Sequence, residues 1–348
     1  MSRSTVNPAT LPFMLFVGIG MQIAIAQDDD EMSIETHPGG HVFHIAESAP
    51  NYERDRMISQ FMLTAEQSEG RFSIVKESFE PGFDSYPRIH SHHWHTEVFL
   101  ILSGRMQRTV NGETRIMGPG SMVYIPPKST HATKVIGDET AEAIMIYAPA
   151  GYEKNYFRRS ALTEDQLRDE NLVLRMMELA DVVPADENEG NKELQVRSNH
   201  VYYEAGSSTV YGRATMLSEF MLTAEQSDGR FSIVKETFKP GFDSYRFAHE
   251  HEWHSEVFFV LSGQMQWTVN GETRTLAPGD MIYIPPNSPH ATKVLGDEEV
   301  HSIMLYEPAG YELNYHRRNA LTPEERQDPE IMRENRELSD TVLIEVEP

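Results

Sequence analysis

Two sets of potential metal ligands recur in this chain at one fixed spacing. Each set holds three histidines and one glutamate, whose nitrogen and oxygen atoms suit a divalent transition metal. The sets are His90, His92, Glu97 and His131, and then His249, His251, Glu256 and His290. Every member of the second set lies 159 positions after its counterpart. Because a buried polar network has no need of the same spacing twice, the pattern predicts two metal sites and favours an enzyme.

The spacing also predicts how the ligands meet. Residues two apart on a β-strand face the same side, so His90 and His92 are expected to point into one cavity. Glu97 lies an odd number of residues further on, which predicts a turn before the strand that carries it. His131 is expected to open a strand, His131–Val135. Ligands from three or more strands indicate a rigid barrel that leaves coordination positions open.

The ligand sets belong to a duplication that covers most of the chain. Residues 41–183 align with residues 200–342 without a gap, and each copy is long enough for a core of its own. We therefore predict two domains, 41–183 and 200–348. A polar linker, 184–199, joins them, and an acidic arm, 27–40, precedes them.

The apolar pattern within each copy predicts short β-strands. Val98–Leu102 is a continuous apolar run, and the Asn-Gly pairs at 111–112 and 270–271 predict hairpin turns, because both positions of such a turn need positive φ. Capping boxes that begin at Thr163 and Thr322 predict a short helix at the end of each copy. The expected fold class is all-β, with two tandem β-barrels and short C-terminal helices.

Composition excludes several classes of partner. The formal net charge of -24 argues against binding to nucleic-acid phosphates or to anionic membranes. The chain has no cysteine, so neither disulfides nor thiolate ligands are available. The expected partners are a small-molecule substrate and O₂, with a homo-oligomer left open.

The N-terminus predicts export. Residues 11–26 form an apolar run that follows Arg3 and ends in Ala24-Ile25-Ala26, small residues of the kind that a signal peptidase reads. We interpret residues 1–26 as a signal peptide and expect the protein in a bacterial periplasm or outside the cell. An uncleaved membrane anchor is the alternative.

The ligand spacing resembles the two motifs of the cupin family. The first motif fits at His90-Ser-His92, Glu97 and Gly104, and the second fits at Gly120, Pro126 and His131 in copy one and at Gly279, Pro285 and His290 in copy two. The second motif departs from the family at Lys128, Val135, Asn287 and Val294. These positions shape turns in the family, so the ligands themselves are not in doubt.

Two intact sites make the chain most similar to the quercetin 2,3-dioxygenase group. The resemblance implies jelly-roll barrels with one divalent metal each, and iron, copper, manganese and nickel all suit such a site. It implies that a flavonol-like enolate binds the metal and that Glu97 or Glu256 takes its proton. The alternatives are a decarboxylase or isomerase acting on a small acid, and a bicupin that binds a ligand without catalysis.

The two copies differ where a substrate is expected to bind. Counting back from the ligands along a strand places Tyr86 and Arg88 inward in copy one, and Tyr245 and Phe247 in copy two. Across the next hairpin, Trp267 replaces Arg108. If these positions face the cavities, copy one has a cationic pocket and copy two an aromatic one, which suits a planar substrate.

Overall fold

The computed structural model describes residues 40–46, 48–54, 56–185 and 199–344. The predicted signal peptide, nearly all of the acidic arm and most of the linker lie outside these residues. Within the described part, no helix has the length and apolar character needed to cross a membrane.

Each copy of the repeat forms twelve strands. Those of copy one are β1 (Val42–His44), β2 (Asn51–Arg54), β3 (Met57–Leu63), β4 (Ser73–Phe79), β5 (His90–Ser91), β6 (Thr96–Ser103), β7 (Met106–Val110), β8 (Glu113–Met117), β9 (Met122–Ile125), β10 (His131–Val135), β11 (Ala141–Ala148) and β12 (Val183–Pro184). Those of copy two are β13 (Val201–Tyr203), β14 (Val210–Arg213), β15 (Met216–Leu222), β16 (Ser232–Phe238), β17 (His249–Glu250), β18 (Ser255–Ser262), β19 (Met265–Val269), β20 (Glu272–Leu276), β21 (Met281–Ile284), β22 (His290–Val294), β23 (Val300–Glu307) and β24 (Val342–Leu343).

Two sheets face each other in each domain, as in a jelly roll, and do not close into one barrel. In the first domain the larger sheet has the order β13-β9-β6-β11-β4-β3-β2 and the smaller one β12-β5-β10-β7-β8. The second domain has β1-β21-β18-β23-β16-β15-β14 and β20-β19-β22-β17-β24. The predicted all-β class is confirmed, and the predicted barrels are corrected to paired sheets.

The two domains exchange their first strands. β1 pairs with β21 of the second domain, with Val42 opposite Tyr283, and β13 pairs with β9 of the first, with Val201 opposite Tyr124. Each larger sheet therefore takes its outer strand from the other copy. Pairing of this kind fixes the relative position of the domains through backbone hydrogen bonds.

The strand β6 shows why the run Val98–Leu102 is apolar throughout. Val98 and Leu100 pack into a core that the larger sheets of both domains share. Phe99 and Ile101 point the other way, into the interior of the first domain. Because both faces of this strand are buried, its sequence does not alternate. Glu97 has the same facing as Phe99 and is therefore directed to the interior.

Each copy ends in short helices that pack outside the sheets. They are α1 (Glu153–Ser160), α2 (Glu164–Leu167), α3 (Glu170–Leu179), α4 (Glu312–Ala320) and α5 (Pro329–Glu337). Both predicted capping boxes are present, since Thr163 and Gln166 bond reciprocally, as do Thr322 and Glu325. The Asn-Gly turn after β7 is also confirmed, with φ of 47° at Asn111.

Candidate metal centres

The first ligand set is assembled from two facing sheets. His90 opens β5 and His131 opens β10, and the two are direct partners across these antiparallel strands. β6 in the facing sheet carries Glu97, whose Oε2 lies 3.5 Å from Nε2 of His92 and 3.3 Å from Nε2 of His131. The chain turns between β5 and β6, as the spacing predicts. The structure thus brings the four side chains together, and their role as ligands stays a prediction.

The second set repeats this geometry. His249 pairs with His290 across β17 and β22, and their ring centroids are 4.3 Å apart. Glu256 Oε2 lies 3.7 Å from Nε2 of His251 and 3.3 Å from Nε2 of His290. In both domains the ligand nitrogens of the three histidines lie within 4.8 Å of one another.

Hydrogen bonds fix which ring nitrogen of each histidine faces the centre. In the first domain Nδ1 contacts a backbone oxygen at 3.2 Å for His90, 2.8 Å for His92 and 3.0 Å for His131. The matching distances in the second domain are 3.1, 2.8 and 2.8 Å. Because a carbonyl oxygen only accepts, each Nδ1 carries the proton and each Nε2 presents a lone pair, which is the form that binds metals.

Several of these Nε2 atoms are buried without a hydrogen-bond partner among the described residues. They belong to His92, His131, His251 and His290, and Oε2 of Glu256 shares this state. Buried polar atoms are normally satisfied, so a converging group of unpaired lone pairs needs a shared partner. A divalent transition metal is a partner that fits these nitrogens and this carboxylate.

The pKa values of the ligand side chains favour a cation bound between them. Burial lowers the pKa of His90 well below its usual value and that of His249 to about 3, which keeps both imidazoles neutral. Burial opposes ionisation of Glu97, but His131, His92 and Arg108 outweigh it and hold the pKa of this carboxyl well below its usual range. In the second domain burial likewise lowers the pKa of His251, but Glu256 outweighs it and raises that pKa. The site therefore favours a positive charge, which a metal supplies in place of the proton.

Arg108 and Trp267 make the two sites unequal. They hold matching positions on β7 and β19, and each is about 2% exposed. Arg108 donates to Oε1 of Glu97 at 3.0 Å and lies 4.1 Å from the ring centroid of Phe99. Trp267 lies 4.8 Å from the ring of Phe258. The structure thus places a cation in the first interior and an indole in the second, and contact between Trp267 and a substrate stays a prediction.

Four residues predicted to line the pockets lie elsewhere, and that prediction is wrong. Tyr86–Arg88 and Tyr245–Phe247 form 3-10 turns, so strand alternation does not extend back to them. Arg88 is exposed, and Phe247 is 64% exposed. The hydroxyls of Tyr86 and Tyr245 bond to threonines, Thr109 and Thr268, on the outer side of β7 and β19. Pro87 stands within the first of these turns, whereas Arg246 holds the matching position in the second.

The first site opens into a cavity of about 130 Å³. Its walls come from both sheets and from the segment after β11. They include His90, Glu97, Phe99, Arg108, His131, Tyr147, Tyr152 and Tyr156. The cavity is therefore lined by members of the ligand set and by three tyrosines, and the rings of Tyr147 and Tyr152 lie 6.1 and 5.4 Å from the ring of His92.

Asp181 and Asp340 support the ligand turns, and the sequence analysis did not identify them. Oδ atoms of Asp181 accept the backbone N–H groups of residues 93–95 at 2.8–3.0 Å, and Oδ2 lies 2.8 Å from Nδ1 of His95. Its backbone oxygen is the partner of His92. Asp340 repeats these contacts with residues 252–254 and His251. Their recurrence at the repeat offset is the signal that could have found them.

Replacing Asp340 by asparagine is expected to loosen the second site. Only one amide oxygen remains to accept three backbone N–H groups, so we expect a loss of about 1–3 kcal/mol in the free energy of unfolding. Metal affinity at this site should fall by about 10–100-fold, because the turn of residues 252–254 between His251 and Glu256 loses its fixed geometry. Denaturant unfolding and metal titration measure both effects. Asp297→Asn, in an exposed loop, is the matched control, and equal behaviour of the two variants would contradict this role.

A second polar cluster lies inside each domain. Glu236 accepts hydrogen bonds from Ser218 at 2.7 Å and from Tyr315 at 3.2 Å. Burial raises its pKa to about 8, so this carboxyl is largely protonated at neutral pH. Glu77 is its counterpart in the first domain, and burial raises its pKa too.

The raised pKa of Glu236 predicts a pH-dependent stability. The folded protein keeps this proton up to about pH 8, whereas the unfolded chain loses it near pH 4.3. Stability from this group is thus fully present below the unfolded pKa and is lost as pH rises through the folded pKa, by about 1.4 kcal/mol per unit. Unfolding free energies of wild type and Glu236→Gln, measured from pH 5 to 8, should show the wild type losing its advantage with rising pH. The exposed Glu298→Gln is the control, and its unfolding free energy should follow that of the wild type with pH. If Glu236→Gln also followed the wild type, the role of Glu236 would be ruled out.

Comparison with known proteins agrees with the fold. The cupin-domain family matches the chain twice, at residues 75–147 and 234–306. Quercetin 2,3-dioxygenase of Bacillus subtilis (strain 168) is 23% identical over 255 residues, which cover 69% of this chain and 74% of that protein. Glucose-6-phosphate isomerase of Pyrococcus abyssi is 31% identical over 105 residues, or 27% of this chain and 56% of that protein.

A solved structure shows the same architecture. The oxalate decarboxylase formate complex of Lactobacillus farciminis aligns with a TM-score of 0.56 at 16% identity, and the alignment covers 84% of this chain and 95% of that one. At this identity the likeness concerns the fold alone. The chain therefore contains two cupin domains, and over 69% of its length it is similar to a quercetin 2,3-dioxygenase.

Proposed function

We propose that the protein is a metal-dependent dioxygenase that cleaves a flavonol-like or related enolisable aromatic substrate with O₂. The observation that carries this proposal is a complete three-histidine, one-glutamate set beside the buried Trp267. The ring of that indole lies 6.2 Å from the ring of His290, and its flat apolar face would suit a planar ring. The similarity to a quercetin 2,3-dioxygenase supports the same class of substrate.

The unpaired Nε2 atoms and the ionised glutamate fit one divalent transition metal in each domain. When bound, such a metal supplies Lewis acidity, which makes an enol hydroxyl a stronger acid, and redox chemistry towards O₂. His249, His251, Glu256 and His290 would hold it in the second domain, and their counterparts in the first. Ligand identity alone does not choose among iron, copper, manganese and nickel.

In this proposal Glu256 takes the proton of the substrate hydroxyl. Tyr306 donates to its Oε1 at 3.3 Å, whereas Oε2 has no hydrogen-bond partner among the described residues. The low pKa of Glu256 keeps it ionised, because His251 and His290 outweigh the effect of burial. An ionised oxygen directed at the centre can accept a proton there. Trp267 would orient the ring of the substrate.

Oxygen uptake tests the proposal. Metal-loaded protein should consume O₂ in the presence of quercetin, with a matching loss of the flavonol absorbance, and chelation should stop both. An absence of uptake at two bound metals per chain, with quercetin and with simpler enediols, would reject the dioxygenase. Ligand binding without turnover would then favour a binding protein.

The buried Arg108 favours a second candidate, a decarboxylase or isomerase acting on a small acid in the first domain. A guanidinium 3.0 Å from Glu97 is placed to pair with a substrate carboxylate. Such an enzyme would release CO₂ from a small diacid, or isomerise it, without net O₂ consumption. Product analysis in the same experiment separates the two candidates.

Replacing Trp267 by arginine, the residue at the matching position of the first domain, is expected to show which site cleaves the flavonol. Trp267→Arg should lower flavonol turnover at least tenfold, because it replaces a flat apolar wall by a buried charge. Trp253→Arg is the matched control, since that tryptophan is 49% exposed. Steady-state kinetics on both variants, at equal metal content, measure the effect. Unchanged turnover in Trp267→Arg would move the flavonol site to the first domain or exclude it.

We also propose that residues 1–26 direct the protein to a bacterial periplasm or exterior. The apolar run and the small residues Ala24 and Ala26 support this proposal. Sequencing the N-terminus of the exported protein tests it, and Gln27 is the expected first residue.

A further inference from the structure

A groove of about 510 Å³ lies on the outside of the first domain, next to the cavity that holds the ligand set. β2, α1 and α2 form its walls. Arg54 and Tyr156 line both the groove and the inner cavity, so these two side chains separate the two spaces. The inner cavity measures about 130 Å³, so this groove offers adjoining space to a substrate larger than one ring.

Two guanidinium groups line this groove without a close carboxylate partner. Arg54 lies 3.9 Å from Glu77 and 3.8 Å from the ring centroid of Tyr156, and its Nε is buried without a hydrogen-bond partner among the described residues. Arg159 on α1 is half-buried and makes no ion pair within the described part of the chain. Glu53 also lines the groove but pairs with neither arginine.

The positive charges of these arginines repel each other. Burial lowers the pKa of Arg159, and the nearby charges of Arg54 and Arg88 lower it further. Burial also opposes the charge of Arg54, but Tyr156 and Glu77 outweigh it and raise the pKa of this guanidinium, so that Arg54 stays charged. Adjacent guanidinium groups of this kind are stabilised by an anion that they share. They stand out in a chain whose net charge is -24.

The second copy keeps part of this arrangement. Arg213 takes the place of Arg54, with its guanidinium 4.2 Å from the ring centroid of Tyr315, and Arg318 takes the place of Arg159. Arg326 replaces Leu167 of the groove, but it donates to the backbone oxygens of residues 318 and 319. The arginine pair is therefore common to both domains, whereas Arg88 belongs to the first alone.

We propose that Arg54 and Arg159 form an anion subsite at the mouth of the first cavity, which binds a carboxylate of an aromatic substrate. The reacting ring lies inside, and the carboxylate lies outside, between the two arginines. This assignment of the substrate class, an aromatic acid, rests on the proposed function and applies it to the first domain. The subsite itself is tested without O₂ or turnover, so that failure of one proposal is distinct from failure of the other.

The test uses the full-length protein labelled with ¹⁵N-arginine, in an Arg318→Gln background that removes the corresponding cation of the second domain. The probes are cinnamate and its uncharged analogue cinnamyl alcohol. We expect cinnamate to shift the Nε–H resonance of Arg159 in NMR spectra and to bind at least tenfold more tightly than the alcohol, with an affinity that falls as salt rises.

Two matched variants decide the outcome. Arg159→Gln should abolish the tenfold preference, whereas Arg158→Gln, at the exposed neighbouring position on α1, should keep it. Equal affinity for the two probes in the parent protein, or a preference that survives Arg159→Gln, would overturn the subsite.

Discussion

Replacing Glu256 by glutamine is expected to lower turnover at the second site by about 10²–10⁴-fold, the usual contribution of a positioned general base. The amide keeps the shape of the side chain and can still coordinate through oxygen, but it cannot accept the proton. Turnover per bound metal, measured on wild type and variant, gives the effect. Glu252→Gln, on the exposed turn just before this strand, is the control.

The same substitution in the first domain, Glu97→Gln, removes the partner of Arg108 as well. If both sites are catalytically active, each single variant loses the turnover of its own domain, and the double variant loses all turnover. Retained activity in the double variant, with two metals bound per chain, would exclude both glutamates as bases.

Removing one histidine from each set is expected to have the largest effect on metal content. His131→Ala and His290→Ala each take away a central ligand whose Nε2 lies 3.3 Å from the glutamate. After dialysis against a chelator, each single variant should keep one metal per chain and the double variant none, because the loss of one of four ligands weakens the site. Elemental analysis together with a protein assay measures the ratio.

His93→Ala provides the control for these variants. His93 is exposed and lies on the turn between the ligands, but it has no counterpart in the second copy, where Glu252 stands. Its loss should leave two metals per chain. A double variant that still holds two metals would show that the ion binds elsewhere.

Local sequence signals predicted the elements that position the site. The Asn-Gly pair at Asn111 requires positive φ at both positions and therefore fixes the hairpin between β7 and β8. The reciprocal bonds of Thr163 and Gln166 fix a helix start in the same local way. The odd spacing from His92 to Glu97 was sufficient to predict the turn between two sheets, because strand facing alternates with a strict period.

Features that depend on distant partners could not be predicted. The pairing of β1 with β21 is decided by backbone hydrogen bonds between copies, and alternation in Val42–His44 does not identify the partner strand. Tyr86 and Arg88 were misplaced because counting back assumed a strand where the backbone forms a 3-10 turn. Asp181 reaches the site from 86 residues away in sequence through the fold of the C-terminal segment.

The contrast between Arg108 and Trp267 could be predicted only in part. The duplication exposes the difference, because the copies are otherwise similar around it. The sequence did not decide whether the side chain at position 108 points inward or outward, and the structure shows that it is buried. Once both side chains are seen to be buried, the two sites are chemically different.

The central claim, that the protein inserts O₂ into its substrate, is tested most directly with isotopic oxygen. Metal-loaded protein would be incubated with quercetin under ¹⁸O₂, and the products analysed by mass spectrometry. A dioxygenase predicts two ¹⁸O atoms in the cleavage products for each substrate consumed, with none arising from H₂¹⁸O. Products that carry no ¹⁸O from the gas, or substrate that is bound but unchanged at two metals per chain, would contradict the proposed function.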